Sequence, residues 1–264
     1  MSTGLVATQM EAAFGGVRAL NGVDVSVPAG AIVGLIGRNG SGKSTLFNCI
    51  SGFVRPNAGR AFIDGVEITG MPPHRIVAKG LARTFQTPRV DARATVLAAV
   101  LCGLYSAVRT SLFGALFGTP GSAREERELR HLAEAELERL GLAHLADVEI
   151  GKLSLGLVRL VDVARCLASG ARFILLDEPA AGLTQAEKDR LAQEIRSVAS
   201  GGVGVLIVEH NIELVRALCQ SVSVLETGRV LCSGPPEEVL RNEDVVRSYL
   251  GAIGEVDAAA GGHR

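Results

Sequence analysis

Gly37-Arg38-Asn39-Gly40-Ser41-Gly42-Lys43-Ser44 is the stretch on which the fold turns. It fits the pattern G-x-x-x-x-G-K-[ST]. Immediately before it, Ile32-Val33-Gly34-Leu35-Ile36 is a short apolar run of the kind a buried strand makes. After it, Lys43 to Ile50 reads as a helix, stopped by Ser51-Gly52 and Pro56. An accidental glycine-rich turn has no reason to sit between a strand and a helix. Glycines let the backbone wrap tightly, so that its N–H groups point at phosphate oxygens. The helix that follows adds the positive end of its dipole. Lys43 brings a point charge to β and γ phosphates, and Ser44 offers a hydroxyl to Mg²⁺. The stretch therefore predicts binding of a nucleotide through its phosphates.

Working outward, residues 5–12 and 23–27 alternate as strands do, and Ala61-Phe62-Ile63 before Asp64-Gly65 reads as a strand and a tight turn. Residues 73–118 are mostly helical in composition, and Thr119-Pro120-Gly121-Ser122 reads as a loop. Arg124 to Leu140 predicts a charged helix with the apolar stripe Leu129, Leu132, Ala133, Leu137, Leu140 and a solvated opposite face. A helix over 157–168 precedes the wholly apolar strand Phe173 to Leu176. Thr184-x-x-Glu187 is a capping box opening a helix through Val198, and Val203 to Val208 is a further buried strand. Strands alternating with helices predict an α/β fold with a parallel sheet. The helical block at about 90–165 reads as an inserted lobe, and the Ala- and Gly-rich tail from Gly251 as loose.

Composition narrows the function. The chain has 264 residues, 47% hydrophobic and 21% charged, with formal net charge −1. That is enough for one large domain or two lobes and excludes disorder for the bulk. The near-zero charge gives no general field for nucleic acid. There are 32 glycines and no Trp, which suits many tight turns better than an aromatic-rich sandwich. Cysteines stand at 49, 102, 166, 219 and 232 with no CxxC, which argues against a zinc site or disulfide framework and for a reducing compartment. No basic-then-apolar segment opens the sequence. Val96 to Gly118 carries Arg109 as its one charge and is long enough to span a bilayer. Gly103, Gly114 and Gly118 interrupt it, however, and a near-central Arg costs about 2.5–3.5 kcal/mol on insertion scales. The run is therefore expected to form helices packed against protein.

Two further strand ends carry chemistry. Phe173-Ile174-Leu175-Leu176-Asp177-Glu178 delivers two carboxylates where parallel sheets place ligands. Asp177 is the candidate holder of Mg²⁺, through water, and Glu178 the candidate base for an attacking water. Two acids alone would only cap a loop; the phosphate loop makes them a site. Val208-Glu209-His210 ends another apolar strand, and His210 there is placed for a γ-phosphate or its water, although a strand-end histidine by itself is more often a structural hydrogen-bonder.

Together these residues resemble the ATP-binding cassette ATPases over nearly the whole chain, to about residue 250. Phe14 stands where that family carries an aromatic that stacks on adenine. Gln86, in Arg83-Thr84-Phe85-Gln86, matches the glutamine loop that senses Mg²⁺ and the transporter interface. Leu153-Ser154-Leu155-Gly156-Leu157 matches the signature that faces a partner subunit's γ-phosphate, through Ser154 and Gly156. Pro179-Ala180-Ala181-Gly182-Leu183 matches the loop through which two cassettes communicate. The resemblance implies nucleotide contacts from Phe14, from Gly37 through Thr45 (Gly37, Arg38, Asn39, Gly40, Ser41, Gly42, Lys43, Ser44, Thr45), and from Ser154 and Gly156. It implies Mg²⁺ at Ser44, Gln86 and Asp177, and catalysis by Glu178, His210 and Gln86. It also implies a P-loop NTPase-type parallel sheet core with an N-terminal antiparallel β subdomain and an inserted helical subdomain. The nucleotide-binding lobe would comprise 1–90 and 166–250, the helical subdomain about 91–165, and the tail 251–264.

The Arg83–Gln86 stretch, the Ser111-Leu112-Phe113-Gly114-Ala115-Leu116-Phe117 insert, Asp177 to Leu183 and Ser248-Tyr249-Leu250-Gly251 are similar to the branched-chain amino-acid importer subfamily. That similarity implies an ATPase at the cytoplasmic face of the membrane. It would pair with a second cassette, like or unlike itself, beneath integral-membrane permeases served by a solute-binding protein, with no nucleic acid. The solute would be a branched-chain amino acid or a related amide, carboxylate or urea-like compound. The alternatives are a regulatory cassette with little turnover and a non-transport cassette ATPase. The chain departs from the pattern at Leu155, Leu157 and Val158 in the signature, at Ala98-Ala99, and at Thr184, which reads first as a helix cap. Leu157 and Val158 can donate no side-chain hydrogen bond, so a partner with a fuller signature is expected.

Overall fold

Two sheets share one strand-rich lobe. The computed structural model describes residues 4–86, 90–107 and 120–247. Strands β1 (Leu5–Phe14), β2 (Val17–Val27), β4 (Ala58–Ile63) and β5 (Val66–Glu67) form an antiparallel sheet in the order β2-β1-β4-β5. Strands β3 (Ile32–Ile36), β6 (Leu81–Arg83), β7 (Phe173–Asp177), β8 (Gly204–Val208), β9 (Ser221–Glu226) and β10 (Arg229–Gly234) form the second sheet, in the order β10-β9-β3-β8-β7-β6. In that sheet β3, β6, β7, β8 and β9 pair in parallel, with Val33 opposite Leu206, Ile174 opposite Val205 and Leu81 opposite Phe173; β10 closes the edge antiparallel to β9.

The parallel strands are apolar throughout because both of their faces are covered. Along β7, Phe173 and Leu175 point into one core while Ile174 and Leu176 point into the other; β8 alternates likewise through Val205, Leu206, Ile207 and Val208. One core lies against the antiparallel sheet and helix α1 (Lys43–Ile50), around Phe47, Met10 and Leu20. The other lies against the helices α3 (Val96–Leu101), α4 (Pro120–Arg139), α5 (Leu155–Ala168), α6 (Gln185–Ser200) and α7 (Ile212–Leu218).

Several sequence expectations are corrected. The second strand begins at Val17, upstream of 23–27, because a Gly15-Gly16 turn folds it back along β1 with Phe14 opposite Val17. The 73–118 stretch holds the short helix α2 (Pro73–Val77) but then the edge strand β6, whose Leu81 and Ala82 bury beside β7; three residues are too few to show a period. Pro120, Gly121 and Ser122 open α4 and do not form a loop, since proline at a helix start has no N–H to lose. Leu132 leaves the expected apolar stripe and is 52% exposed, while Ala133, Leu137 and Leu140 are buried. The helix expected from 157 begins at Leu155 behind a Ser154 cap.

Of the Val96–Gly118 run, α3 and a 3₁₀ turn over Cys102–Ala107 are described. Val96, Leu97, Ala99, Val100 and Leu104 bury in the helical core, packed with α4 and α5. Arg109, the Ser111–Phe117 insert, Thr119, the Ser248–Gly251 ending and the tail lie outside the described residues. Among the described residues no helix is long and apolar enough to cross a membrane.

Candidate active site

The strands that precede Gly37, Gln86, Glu178 and His210 run parallel, so the residues after their C-terminal ends gather along one edge of the sheet. After β3, the loop Gly37–Gly42 turns into α1 with no side-chain cap and no acid in the first helical turn, leaving its N–H groups to a ligand. Glycine is required here. A Cβ at Gly37 would run into the Leu225 carbonyl and the Ser41 hydroxyl, and one at Gly42, where φ is +111°, would stand 2.5 Å from the Ala19 carbonyl oxygen. Lys43 is 6% exposed. Its ammonium donates to the carbonyls of Gly37 at 2.6 Å and Arg38 at 3.0 Å. Burial holds its pKa below the ordinary lysine range, against the opposing pull of Glu178 and Asp177. Among the described residues Ser41 Oγ, buried in the loop, has no hydrogen-bond partner, an orphan that a phosphate oxygen would satisfy. Ser44 and Thr45 follow in the first turn of α1, with Ser44 exposed.

Three residues from three strand ends meet at one carboxylate. Glu178, just past β7, accepts from Gln86 Nε2 at 2.9 Å on Oε2, and its Oε1 lies 2.9 Å from His210 Nε2. Gln86 follows β6 and His210 follows β8. Glu178 has φ +47°, a left-handed backbone that costs a residue with a Cβ about 1–2 kcal/mol. Such strain collects where geometry serves function. Next to it, Asp177 ends β7 and pairs through Oδ2 with Arg83 Nη2 at 2.8 Å. Arg83 also donates to Asn48 Oδ1 at 2.6 Å and Ser51 Oγ at 3.2 Å, and lies between the rings of Phe47 and Phe85.

The other nominated residues stand apart from this cluster. Phe14 ends β1 at the hairpin tip and is 50% exposed, an open ring face. Ser154 caps α5, its Oγ accepting from Leu157 N at 3.4 Å, and Gly156 is buried in the first turn. The Glu187 carboxylate reaches both: the Ser154 hydroxyl first, then the Thr184 and Gly156 donors, hold its pKa below the usual range. A Cβ on Gly156 would stand 2.9 Å from Glu187 Oε1, so that close approach needs glycine. Leu157 and Val158 turn inward and pack against the helical core. Thr184 is the helix cap expected of it, in a complete capping box with Glu187.

Sequence reasoning left Arg83, Glu209 and Arg159 without a role. Glu209 is 3% exposed and accepts from the Ala180 and His210 N–H groups at 2.8 and 3.2 Å, with burial pushing its pKa up. The signal for all three was a charge standing within or at the end of an apolar run, since such residues are buried only when paired.

Comparison with known proteins fits this geometry. A family profile described as ABC transporter matches residues 20–181. The chain belongs to the ABC transporter family. A second profile, described as a branched-chain amino acid ATP-binding cassette transporter, matches residues 229–253 of this cassette. The cassette is 39% identical over 239 residues to the high-affinity branched-chain amino acid transport ATP-binding protein BraF of Pseudomonas aeruginosa, covering 90% of this chain and 94% of that protein. It is 36% identical over 241 residues to the corresponding LivG protein of Escherichia coli, with coverage of 90% and 94%. Among solved structures it superposes on the ADP conformation of an ATP-binding cassette of an ABC transporter with TM-score 0.82 and 32% identity, covering 95% of this chain and 100% of that one. A nucleotide-free ABC transporter cassette gives 0.81 and 32%, covering 93% and 98%. The cassette is accordingly a nucleotide-binding ATPase subunit that powers transport.

Proposed function

We propose that this cassette drives uptake of branched-chain amino acids, or of related amide, carboxylate or urea-like solutes, by hydrolysing Mg-ATP beneath membrane permeases. The substrate class comes from what BraF and LivG are named for transporting. The observation that carries hydrolysis is the meeting of Gln86, Glu178 and His210 at one carboxylate. In this reading ATP stacks its adenine on Phe14 and lays its phosphates on Gly37–Thr45. The oxygen donors Ser44 and Asp177, joined by Gln86, suit a hard cation and would hold Mg²⁺, which would supply positive charge to the phosphates. Glu178 takes a proton from the attacking water as the water oxygen bonds to the γ-phosphorus; the bond from that phosphorus to the bridging oxygen breaks with its electron pair staying on ADP, and ADP and inorganic phosphate leave. His210 and Gln86 hold the carboxylate in place for that transfer, so that positioning and electrostatics do most of the work.

A second cassette supplies its own signature to this phosphate loop, and Ser154 and Gly156 serve the site opposite. The nucleotide lobe then comprises 1–90 and 166–250 and the helical lobe about 91–165. The permeases keep the cassette at the inner membrane face and link it indirectly to a solute-binding protein. The deciding experiment is Glu178→Gln in the assembled transporter. Turnover should fall by a factor on the order of 10² or more while ATP still binds. Wild-type turnover in that variant would remove Glu178 from the chemistry.

A further inference from the structure

The hydrolytic reading leaves the buried cation Arg159 unused. Arg159 stands on α5 in the run Leu157-Val158-Arg159-Leu160-Val161 and is 7% exposed. Among the described residues its guanidinium meets no carboxylate at hydrogen-bond distance, and its Nε has no hydrogen-bond partner. Instead Nη1 donates to the Glu178 carbonyl at 3.0 Å and Nη2 to the Ala181 carbonyl at 3.1 Å. The carboxylates of Glu209, Asp162 and Glu178 act on it at longer range. A buried charge spent on two main-chain carbonyls calls for an explanation, because burial of a cation is costly unless it is paired.

Glu178 provides one. Its φ of +47° is a backbone that relaxes toward negative φ unless both flanking peptides are held. On the N-terminal side, Glu178 N–H donates to the Val208 carbonyl at 2.9 Å, which ties it to β8. On the C-terminal side the Glu178 carbonyl accepts from Ala181 N–H at 3.2 Å within the turn, and Arg159 adds the shorter side-chain hold at 3.0 Å. Gln86 and His210 grip the carboxylate at its far end, but the direction in which the side chain leaves the backbone is set by the two peptides.

We infer that Arg159 is a positioning residue for hydrolysis: its fork clamps the peptide that follows Glu178 to that of Ala181, and so aims the Glu178 carboxylate at the attacking water. The inference rests on the reading of Glu178 as the base. The planar guanidinium meets two carbonyls at once in a fixed geometry, whereas an ammonium is a point donor on a flexible stem. The clamp also joins Glu178 and the loop Pro179–Leu183 to a helix whose own N-terminus carries Ser154 and Gly156.

The test uses Arg159→Lys and Arg159→Gln in the cassette assembled with its partner cassette and permeases. It measures kcat and KM for ATP hydrolysis, ATP affinity by titration, and assembly by co-purification. Both variants should lose about tenfold or more in kcat, since small misplacements of a reacting group are expensive, with KM and affinity held within twofold. In single-turnover assays on a Glu178→Gln background, Arg159→Lys should cause no further loss, because residues that act through one another are not additive. Unchanged kcat in Arg159→Lys overturns the inference. So does a further loss of similar size on the Glu178→Gln background, or a fall in affinity or assembly that parallels the fall in kcat. Wild-type turnover in Glu178→Gln alone would instead overturn the underlying reading, whereas an inactive Glu178→Gln beside an active Arg159→Lys removes the clamp and leaves the base in place.

Discussion

Replacing Arg83 by methionine removes the guanidinium that faces the Phe47 and Phe85 rings while keeping an unbranched apolar stem. The side chains of Arg83 and Asp177 are 8% and 12% exposed, and they pair at 2.8 Å. Asp177 then keeps a carboxylate in a site that excludes most water, while Asn48 and Ser51 lose a donor at 2.6 and 3.2 Å. Breaking a buried pair by deleting one partner costs about 3–5 kcal/mol, because the surviving charge is left uncompensated. For a domain of this size each kcal/mol shifts the melting midpoint by about 2–4 °C, so Arg83→Met should lower it by roughly 6–20 °C. The charge argument is separable from simple loss of packing by a cycle with Asp177→Asn. If the ion pair dominates, the double variant Arg83→Met/Asp177→Asn should lose at least about 1 kcal/mol less than the sum of the two single changes in urea denaturation. Additivity within about 0.5 kcal/mol would refute the reasoning and leave Arg83 as a packing residue with independent hydrogen bonds.

Two other outcomes follow from the same edge of the sheet. Lys43→Ala removes the one lysine charge on the phosphate loop, and losing a charge-assisted bond worth about 1.5–3 kcal/mol should weaken ATP binding about ten- to a hundredfold in a nucleotide titration; wild-type affinity would sink the assignment of the loop. Burial raises the Glu209 pKa in the folded state, so the folded chain holds its proton at a pH where the unfolded chain has released it, and stability falls as pH rises from the ordinary glutamate value through the raised one. Glu209→Gln, whose amide oxygen can still accept from Ala180 N–H, should lack that fall, so denaturation midpoints from pH 4.5 to 8 should move progressively in the variant's favour; parallel pH profiles would contradict it.

What was legible in the sequence was whatever has a local period or a local pattern. The phosphate loop declared itself between an apolar strand and a helix, and β3, β7 and β8 as unbroken apolar runs, because a parallel strand covered on both faces needs no polar side. The capping box at Thr184 was readable because its two partners are three residues apart. What was not legible depends on partners far along the chain. Leu81–Arg83 is three residues long and becomes a strand only because Phe173–Asp177 lies beside it. Leu132 falls at helical spacing from Leu129, yet only the neighbouring helices decide where the buried stripe ends, and they leave it outside. Arg159 illustrates the same limit within the site. An arginine between Val158 and Leu160 signals a buried partner, but its acceptors, the carbonyls of Glu178 and Ala181, are main-chain groups with no side-chain signature at all. A motif can therefore name the carboxylate that does chemistry, while the residue that holds its backbone is found only once the helix and the strand end are in contact.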